Sequence, residues 1–130
     1  MPIDKYQKFL NKYSSQIMSL IETQNENFIK VCNLIKKIKR NGKIIVCGNG
    51  GSSSIASHVA VDISKILRIK AMTFADDNLI TCFANDYGYD KWTLEALKIY
   101  SNVNDLVILI SSSGSSKNIV NAAKFAKKQG

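Results

Sequence analysis

The sequence predicts an α/β fold, in which a parallel sheet is flanked by helices and preceded by two N-terminal helices. Apolar runs at residues 43–47, 69–74 and 105–110 lack polar alternation and are typical of strands in a parallel sheet. Each run is followed by a segment of helical periodicity, as βαβ crossovers require. Two further helical patterns come first, so we expect a single domain with N-terminal helices over 1–41 and an α/β core over 42–130.

The N-terminal helices are predicted from apolar residues at three- and four-residue steps, from Asp4 to Ile21 and again from Phe28 to Ile38. A polar break at residues 22–26 separates them, and Asn41-Gly42 is a typical helix end. Together they carry more apolar surface than one small sheet can cover. We expect the first helix to pack against another subunit; a helix that folds back over its own domain would have the same pattern.

The core helices follow from the same periodicity. The helix after the first strand runs to about Leu67, and a short one spans residues 79–84. Residues 85–90 are polar and contain a glycine, which favours a loop. Two more helices are expected over 92–100 and 117–129. The side chains expected to face inward are Ile55, Val59, Ile63, Ile66, Trp92, Leu94 and Leu97.

The stretch Gly48-Asn49-Gly50-Gly51-Ser52 lies between the first predicted strand and its helix. Small residues let the backbone approach a ligand closely, and the free N–H groups of a helix's first turn attract anions. The stretch has neither the lysine of a Walker A loop nor the spacing of a dinucleotide fingerprint. It predicts a cradle for a phosphate or a sugar, and a turn that merely needs flexible residues is the alternative.

A second polar loop, Ser111-Ser112-Ser113-Gly114-Ser115-Ser116, joins the last predicted strand to the last helix. Its hydroxyls and the first N–H groups of the helix can donate to a phosphate monoester, whereas a serine linker or a plain helix cap is the alternative. With the first strand central, the loops after Cys47 and Ile110 share the carboxyl edge of the sheet, where ligands bind in such folds. We expect the two loops to form one site.

His58 and Asp62 are four residues apart on a predicted helix, so their side chains leave the same face. An imidazole and a carboxylate so placed can bind zinc from one side, and a simple hydrogen-bonded pair has the same spacing. No third ligand is evident in the sequence. Asn85 and Asp86 could hydrogen-bond sugar hydroxyls or form an Asx turn.

The balance of 18 basic against 10 acidic residues gives a net charge of +8 and raises nucleic acid as a partner. The lysines are scattered over helix faces, and the one dense run, residues 36–40, falls at a helix end, so nucleic acid is not expected.

The absence of a long apolar run or a signal peptide favours a cytoplasmic protein with no membrane partner. Cys32, Cys47 and Cys82 lack disulfide or metal spacing and are expected to be reduced core residues.

Gly130 is a typical residue after a helix, so the sequence ends where a further strand is expected. The apolar run from Leu106 to Ile110 would then be an exposed sheet edge. We therefore expect a core that is incomplete at its C-terminus and continues in a longer domain.

Four motifs in this order resemble the sugar isomerase (SIS) domain, and most closely the phosphoheptose isomerase (sedoheptulose 7-phosphate isomerase) family. The motifs are the Gly48–Ser52 stretch, His58 with an acid four residues on, Asn85-Asp86-Tyr87-Gly88, and the Ser111–Ser116 stretch. The resemblance implies a flavodoxin-like sheet and a homotetramer joined partly through the N-terminal helices. It also implies an aldose–ketose isomerisation to D-glycero-D-manno-heptose 7-phosphate, an early step toward the heptose of bacterial lipopolysaccharide.

The resemblance implies roles for individual residues as well. His58 and Asp62 would bind one zinc ion, and Asp62 would also contact the substrate and act as the proton-transfer base. The family has a glutamate at the position of Asp62, and its later zinc and catalytic residues, a glutamine and a histidine, fall beyond Gly130. The implied substrate contacts are Asn49, Gly50, Gly51, Asn85 and Asp86 for the sugar chain, Ser111, Ser112, Ser113 and Ser116 for the phosphate, and Ser52.

The shorter side chain of Asp62 keeps a second function open. A non-catalytic SIS-domain protein could bind phosphosugars as a regulator or serve as a DnaA-initiator-associating scaffold. His58 and the complete loop of residues 111–116 favour the enzyme. The acid at position 62, which is shorter by one methylene, favours the binding protein, because proton transfer depends on placement at the ångström level.

Overall fold

The computed structural model describes residues 3–38 and 41–130, so Lys39 and Arg40 of the basic run lie outside the described residues. The chain divides into two compact units between Lys37 and Ile38. The first unit holds two helices, α1 (Ile3–Thr23) and α2 (Asn25–Lys36), in which no described residue is buried. They are separated by Gln24 alone, so the expected break over 22–26 is wrong in extent.

The second unit alternates strands and helices in the predicted order. Its elements are β1 (Ile44–Gly48), α3 (Gly51–Asp62), β2 (Ala71–Thr73), α4 (Asp77–Tyr87), α5 (Trp92–Tyr100), β3 (Leu106–Ile110) and α6 (Lys117–Gln129). A π-helical turn, Ile63–Leu67, extends α3 and is followed by Arg68, which has a left-handed backbone with a φ of 57°.

The three strands form a parallel sheet in the order β2-β1-β3. All five residues of β1 are buried because this strand is central, whereas β3 is half-buried along its length. Ile45 and Cys47 belong to the core cluster that the sheet forms with α4, α5 and α6. Side chains alternate along a strand, so the other face of β1 is left to α3, which packs on it through Ala56 and Ala60. The predicted parallel sheet with helices on both faces is confirmed.

The amino edge of the sheet is held together by Asp105, whose side chain is 1% exposed. Its carboxylate accepts hydrogen bonds from Lys43 N at 2.9 Å and Asn102 N at 2.7 Å, and pairs with Lys43 Nζ at 2.5 Å. Burial by itself raises the pKa of this carboxyl, but the bonds from Lys43 and Asn102 outweigh burial and hold the pKa below its ordinary value. Because Lys43 precedes β1 and Asp105 precedes β3, the pair supports the register in which Gly48 lies opposite Ile110.

The buried face of α3 differs from the expected stripe. Ile55 and Ile66 are 54% and 69% exposed, and the buried residues are Ala56, Ala60 and Ile63. Of the expected stripe, Ile63 is buried and Val59 half-buried, whereas the expectation is wrong for Ile55 and Ile66 because it followed the largest apolar side chains, and small residues allow a helix to lie close to a sheet. In α5, Trp92 and Leu97 are buried as expected and Leu94 is half-buried.

Two of the three cysteines are not core residues. Cys32 and Cys82 are exposed and only Cys47 is buried, so the expectation of three core thiols is wrong for two of them. Both lie on amphipathic helices, where an apolar neighbourhood in sequence does not decide which face a residue occupies.

None of the helices in the described ranges is both long and apolar enough to cross a lipid bilayer.

Candidate functional site

The two polar loops lie side by side at the carboxyl edge of the sheet. We call residues 48–52 the glycine loop and residues 111–116 the serine loop. β1 and β3 are neighbours and run parallel, with Gly48 paired to Ile110, so both loops leave the sheet at the same level. A direct link joins the glycine loop to the start of α6: Asn49 Nδ2 donates to Asn118 Oδ1 at 2.9 Å, and Asn118 Nδ2 donates to Asn49 Oδ1 at 2.8 Å. The two loops therefore lie at the same edge of the sheet, as the sequence predicts.

The shape of the glycine loop depends on two of its glycines. A Cβ on Gly48 would lie 2.7 Å from the backbone carbonyl of Ser52, so a side chain there would prevent α3 from starting so close to β1. Gly50 has a φ of 52° and a ψ of −122°, which residues with side chains rarely adopt. The N–H groups of Ser52 and Ser53 bond back to Asn49 O at 3.0 Å and Gly50 O at 2.9 Å. These turn bonds leave the N–H groups at the tip of the loop available to an anion.

The serine loop is shaped by its own hydroxyl groups. Ser111 Oγ accepts a hydrogen bond from Gly114 N at 3.2 Å, and Ser113 Oγ accepts from Ser115 N at 3.2 Å. A hydroxyl that accepts still has a hydrogen to donate, so both serines can bind a phosphate oxygen. Ser116 precedes α6 but its hydroxyl makes no capping bond, so this hydroxyl and the first N–H groups of α6 remain available.

A cleft of about 510 Å³, within the usual range for a small-molecule site, has one residue of each loop in its lining. Its lining residues are Asn49, Tyr89, Asp90, Ser116, Lys117 and Asn118. Lys117 places a cation at the first turn of α6, which favours an anionic group there. Asn121 Nδ2 donates to Asp90 O at 2.9 Å, so α6 is also bonded to the segment that contributes Tyr89 and Asp90 to the lining.

His58 and Asp62 share one face of α3, as predicted. Nε2 of His58 lies 3.4 Å from Oδ2 of Asp62, and the two side chains are 79% and 47% exposed. Two ligands of a tetrahedral zinc ion are also about 3.4 Å apart, given zinc–ligand distances of about 2.0 to 2.1 Å, so the donor separation fits the metal. Within residues 3–38 and 41–130, no group of three or more His, Cys, Asp or Glu side chains is placed to bind a metal. The pair alone could fill at most two positions of such an ion.

Asn85 and Asp86 are helical and not part of a loop. They occupy the last turn of α4, and the loop begins at Gly88, which has a φ of 85°. Asn85 Nδ2 donates to Asp86 Oδ1 at 3.0 Å, which is a local bond. The expected loop over 85–90 is therefore wrong for residues 85–87, and the Asx-turn alternative fails with it, because α4, which is capped by Asp76 Oδ1 accepting from Leu79 N at 2.8 Å, continues to Tyr87. Their contact with substrate stays a prediction.

The sequence analysis does not identify two buried polar residues, Asn118 in the cleft and Thr93 behind it. They are 2% and 0% exposed, and Asn118 Nδ2 donates to Thr93 Oγ1 at 3.0 Å. A signal for Asn118 exists, since it lies four residues before Ala122 on the buried face of α6. A polar side chain on a buried face needs a partner, and that requirement could have pointed to it.

The SIS domain family matches residues 8–130 of this chain. The chain is similar to the phosphoheptose isomerase of Cytophaga hutchinsonii, at 36% identity over 129 residues that cover 93% of this chain and 68% of the relative. It is 39% identical over 129 residues to the phosphoheptose isomerase of Helicobacter pylori strain Shi470, covering 95% of this chain and 67% of the relative. The chain therefore spans about two thirds of the length of these relatives.

Solved structures agree with these relatives. Phosphoheptose isomerase GmhA from Neisseria gonorrhoeae matches with a TM-score of 0.88 at 25% identity, over 97% of this chain and 69% of that one. A phosphoheptose isomerase from Francisella tularensis matches with a TM-score of 0.76 at 28% identity, over 96% of this chain and 71% of that one. The resemblance drawn from the four motifs is confirmed, and the chain belongs to the phosphoheptose isomerase family of SIS-domain proteins.

Proposed function

We propose that this protein is a phosphoheptose isomerase, which converts sedoheptulose 7-phosphate to D-glycero-D-manno-heptose 7-phosphate. The observation that carries the proposal is the link between Asn49 and Asn118 at the start of α6, because it supports a site that the two donor-rich loops share, in a cleft lined by Asn49 and Ser116. Family membership supports the reaction, since relatives at 36% and 39% identity are named phosphoheptose isomerases. An aldose–ketose isomerisation of a phosphosugar follows from both.

The serine loop is assigned to the phosphate group. Its hydroxyls are partly or fully exposed, and that of Ser116 makes no capping bond. A dianionic phosphate at the start of α6 would gain these hydroxyls, the free N–H groups of the helix and the charge of Lys117. The glycine loop is assigned to the sugar chain, with the Asn49 amide and the N–H groups of Gly50 and Gly51 as donors.

Asp62 is assigned to the proton transfer. In an aldose–ketose isomerisation a base removes the proton from the carbon beside the carbonyl and returns it to the neighbouring carbon, through an ene-diol. A hydroxyl proton moves to the former carbonyl oxygen at the same time. The carboxylate of Asp62 is 47% exposed, so it is open to a substrate as well as to His58.

We propose that His58 and Asp62 also bind zinc. Their donor types and their 3.4 Å separation fit two positions of a tetrahedral ion, and the remaining positions would be filled by groups other than a third neighbouring His, Cys, Asp or Glu of the described residues. When bound, the metal would act as a Lewis acid that stabilises negative charge on a substrate oxygen.

The proposal extends to assembly and location. The apolar residues of α1 and α2 are exposed, including Phe9 at 65% and Leu10 at 61%, which supports packing of these helices against further copies in a homotetramer. Cys32, Cys47 and Cys82 are free thiols, which supports a cytoplasmic location. The reaction product would serve the heptose of bacterial lipopolysaccharide.

A second candidate is a non-catalytic phosphosugar-binding or scaffold protein of the same fold. The observation that favours it is the side chain at position 62: an aspartate carries its carboxylate about 1.5 Å less far than a glutamate, and a misplacement of about 1 Å can cost a hundredfold in rate. This candidate keeps the serine loop as a ligand site but needs no turnover.

The test is to incubate the protein, in its full natural length, with sedoheptulose 7-phosphate in the presence of zinc or of a chelator, and to follow the aldose by NMR. We expect turnover that Asp62→Asn abolishes. Binding without turnover in the unaltered protein would contradict the enzyme and support the second candidate. Sedoheptulose without a phosphate is the matched substrate control, and we expect it neither to bind nor to react.

A further inference from the structure

Asn118 makes contacts that the roles assigned above do not use. It is the second residue of α6, and its side chain is buried. Its Nδ2 donates both hydrogens, one to Asn49 Oδ1 at 2.8 Å and one to Thr93 Oγ1 at 3.0 Å. Its Oδ1 accepts from Asn49 Nδ2 at 2.9 Å. Every hydrogen of this amide is therefore engaged.

These bonds join three segments that are distant in sequence. Asn49 belongs to the glycine loop, Thr93 to the first turn of α5, and Asn118 to the first turn of α6. Thr93 is completely buried and adjoins Trp92, which is part of the core cluster. A buried and satisfied polar network of this kind fixes the groups that it connects.

Asn49 differs from its partners because it is half-buried and lines the cleft. Its amide uses one hydrogen and one lone pair in the two hydrogen bonds with Asn118. One hydrogen and one lone pair remain, and they can meet a hydroxyl group of a sugar. Two antiparallel hydrogen bonds prevent the amide plane from rotating, so Asn118 determines the direction of this free edge.

We propose that Asn118 is a positioning residue, which fixes the Asn49 amide relative to the start of α6 and is itself anchored by Thr93. The inference rests on the proposed function, in which α6 binds the phosphate and Asn49 the sugar chain. The two ends of one substrate are then held by segments that cannot move independently. Proton transfer benefits because the reacting carbons keep a fixed position relative to the phosphate.

The first test compares two substitutions in adjacent residues of α6. We expect Asn118→Ala to lower kcat for sedoheptulose 7-phosphate about ten- to a hundredfold. Inorganic phosphate, used as a competitive inhibitor, should keep its inhibition constant within about twofold, because the serine loop does not depend on the amide pair. Ile119→Val is the matched control, since Ile119 is 5% exposed and its apolar side chain loses packing but has no polar group that could bond to Asn49. It should leave kcat unchanged.

The second test asks whether Asn118 acts through Asn49. In an Asn49→Ala background, Asn118→Ala should change kcat by less than about twofold, because the group that it positions is already gone. Thr93→Ser, which keeps the hydroxyl, should behave as the unaltered protein, whereas Thr93→Val should lower kcat. If Asn118→Ala fails to fold, the Thr93 pair decides the question.

The outcomes separate this inference from the proposed function. Normal kcat in Asn118→Ala, or equal effects of that substitution with and without Asn49, would overturn the positioning role alone. A parallel loss of phosphate affinity would also overturn it, since it would show general damage to α6. No turnover by the unaltered protein would overturn the proposed function, and this inference with it.

Discussion

Single hydroxyl groups carry the phosphate assignment, and two of them can be removed without loss of a bond within the helices or the sheet, although Ser113 Oγ also accepts from Ser115 N within the loop. Ser113 is exposed, and the hydroxyl of Ser116 makes no capping bond. We expect Ser113→Ala combined with Ser116→Ala to weaken binding of sedoheptulose 7-phosphate at least about a hundredfold, because each hydrogen bond to a charged group is worth about 1.5 to 3 kcal/mol. Calorimetry measures the affinity, and circular dichroism checks the fold.

Ser101→Ala is the matched control for that double substitution. Ser101 Oγ bonds to Leu97 O at 2.6 Å at the end of α5 and belongs to neither loop. It should leave the affinity unchanged. Unaltered affinity in the double variant would remove the serine loop from the phosphate site.

The cysteines should differ sharply in reactivity. Burial raises the pKa of the Cys47 thiol to about 12, although a backbone hydrogen bond with Phe74 acts in the opposite direction. Cys82 is exposed on α4. In a Cys32→Ser background we expect a thiol reagent at pH 8 to label Cys82 quickly and Cys47 only after denaturation, as mass spectrometry would show. Rapid labelling of Cys47 in the folded protein would contradict this part of the core.

Residue types are enough to predict the two loops of the candidate site, but not the buried polar residues that lie behind them. The glycines and serines were visible because their composition departs from that of ordinary helices and strands. Asn118 and Thr93 were not, because a lone Asn or Thr within a helix has no local pattern and its burial depends on which segments pack together. Asn85 and Asp86 show the reverse error, since their turn-forming side chains did not outweigh a helix already started at Asp76.

At the scale of elements, the start of α3 depends on the absence of a side chain at Gly48. We expect Gly48→Ala to destabilise the protein by about 1 to 3 kcal/mol, because its Cβ would overlap backbone atoms of Ser52 that cannot move without shifting α3. Gly51→Ala is the matched control: it has open space and an ordinary φ, so its unfolding free energy should stay within about 0.5 kcal/mol. Urea denaturation measures both, and equal stability of the two variants would contradict the close approach of β1 and α3.

The pairing of β1 with β3 should depend on Asp105 in a pH-dependent way. Because its pKa is lower in the folded protein than in the unfolded chain, its contribution is complete above pH of about 4 and is lost as the pH falls further. We expect Asp105→Asn to cost about 2 to 4 kcal/mol at pH 7, since it leaves the charge of Lys43 without its partner. The difference from the unaltered protein should shrink below pH 4.

Glu95→Gln provides the comparison for Asp105. Glu95 pairs with Lys98 at 2.8 Å on the surface of α5, and the Lys98 side chain is 49% exposed. Its loss should cost less than about 0.5 kcal/mol. Thermal unfolding across a pH series measures both variants, and a pH-independent cost for Asp105→Asn would contradict the account of its carboxylate.

Elements were predicted best where the pattern was long and its ends were marked. The last helix has the expected bounds, since Ser116 precedes it and Gly130 follows it. β2 was predicted over six residues and spans three, because the length of an edge strand is decided by its pairing with β1 and not by apolar content. The buried side of α3 was misjudged for a similar reason, as close packing against the sheet selected Ala56 and Ala60 over larger neighbours.

In the whole molecule, the strand order decides that the glycine loop and the serine loop lie near each other. The glycine loop and the serine loop are about sixty residues apart in sequence. The strand order β2-β1-β3 makes their strands neighbours, and parallel pairing brings both loops to one edge. This step was predictable because βαβ crossovers permit few arrangements. The proposed zinc site is not completed at this scale, since no third His, Cys, Asp or Glu of the described residues is grouped with His58 and Asp62.

In the proposed enzyme, the glycine loop and the serine loop bind one sugar phosphate together. NMR titration of the protein with sedoheptulose 7-phosphate tests it most directly, because backbone amide signals report each loop separately. We predict that the signals of Gly50 and Gly51 shift together with those of Ser113 and Ser116 and saturate with a single dissociation constant. Shifts confined to one loop, or two different dissociation constants, would contradict the claim.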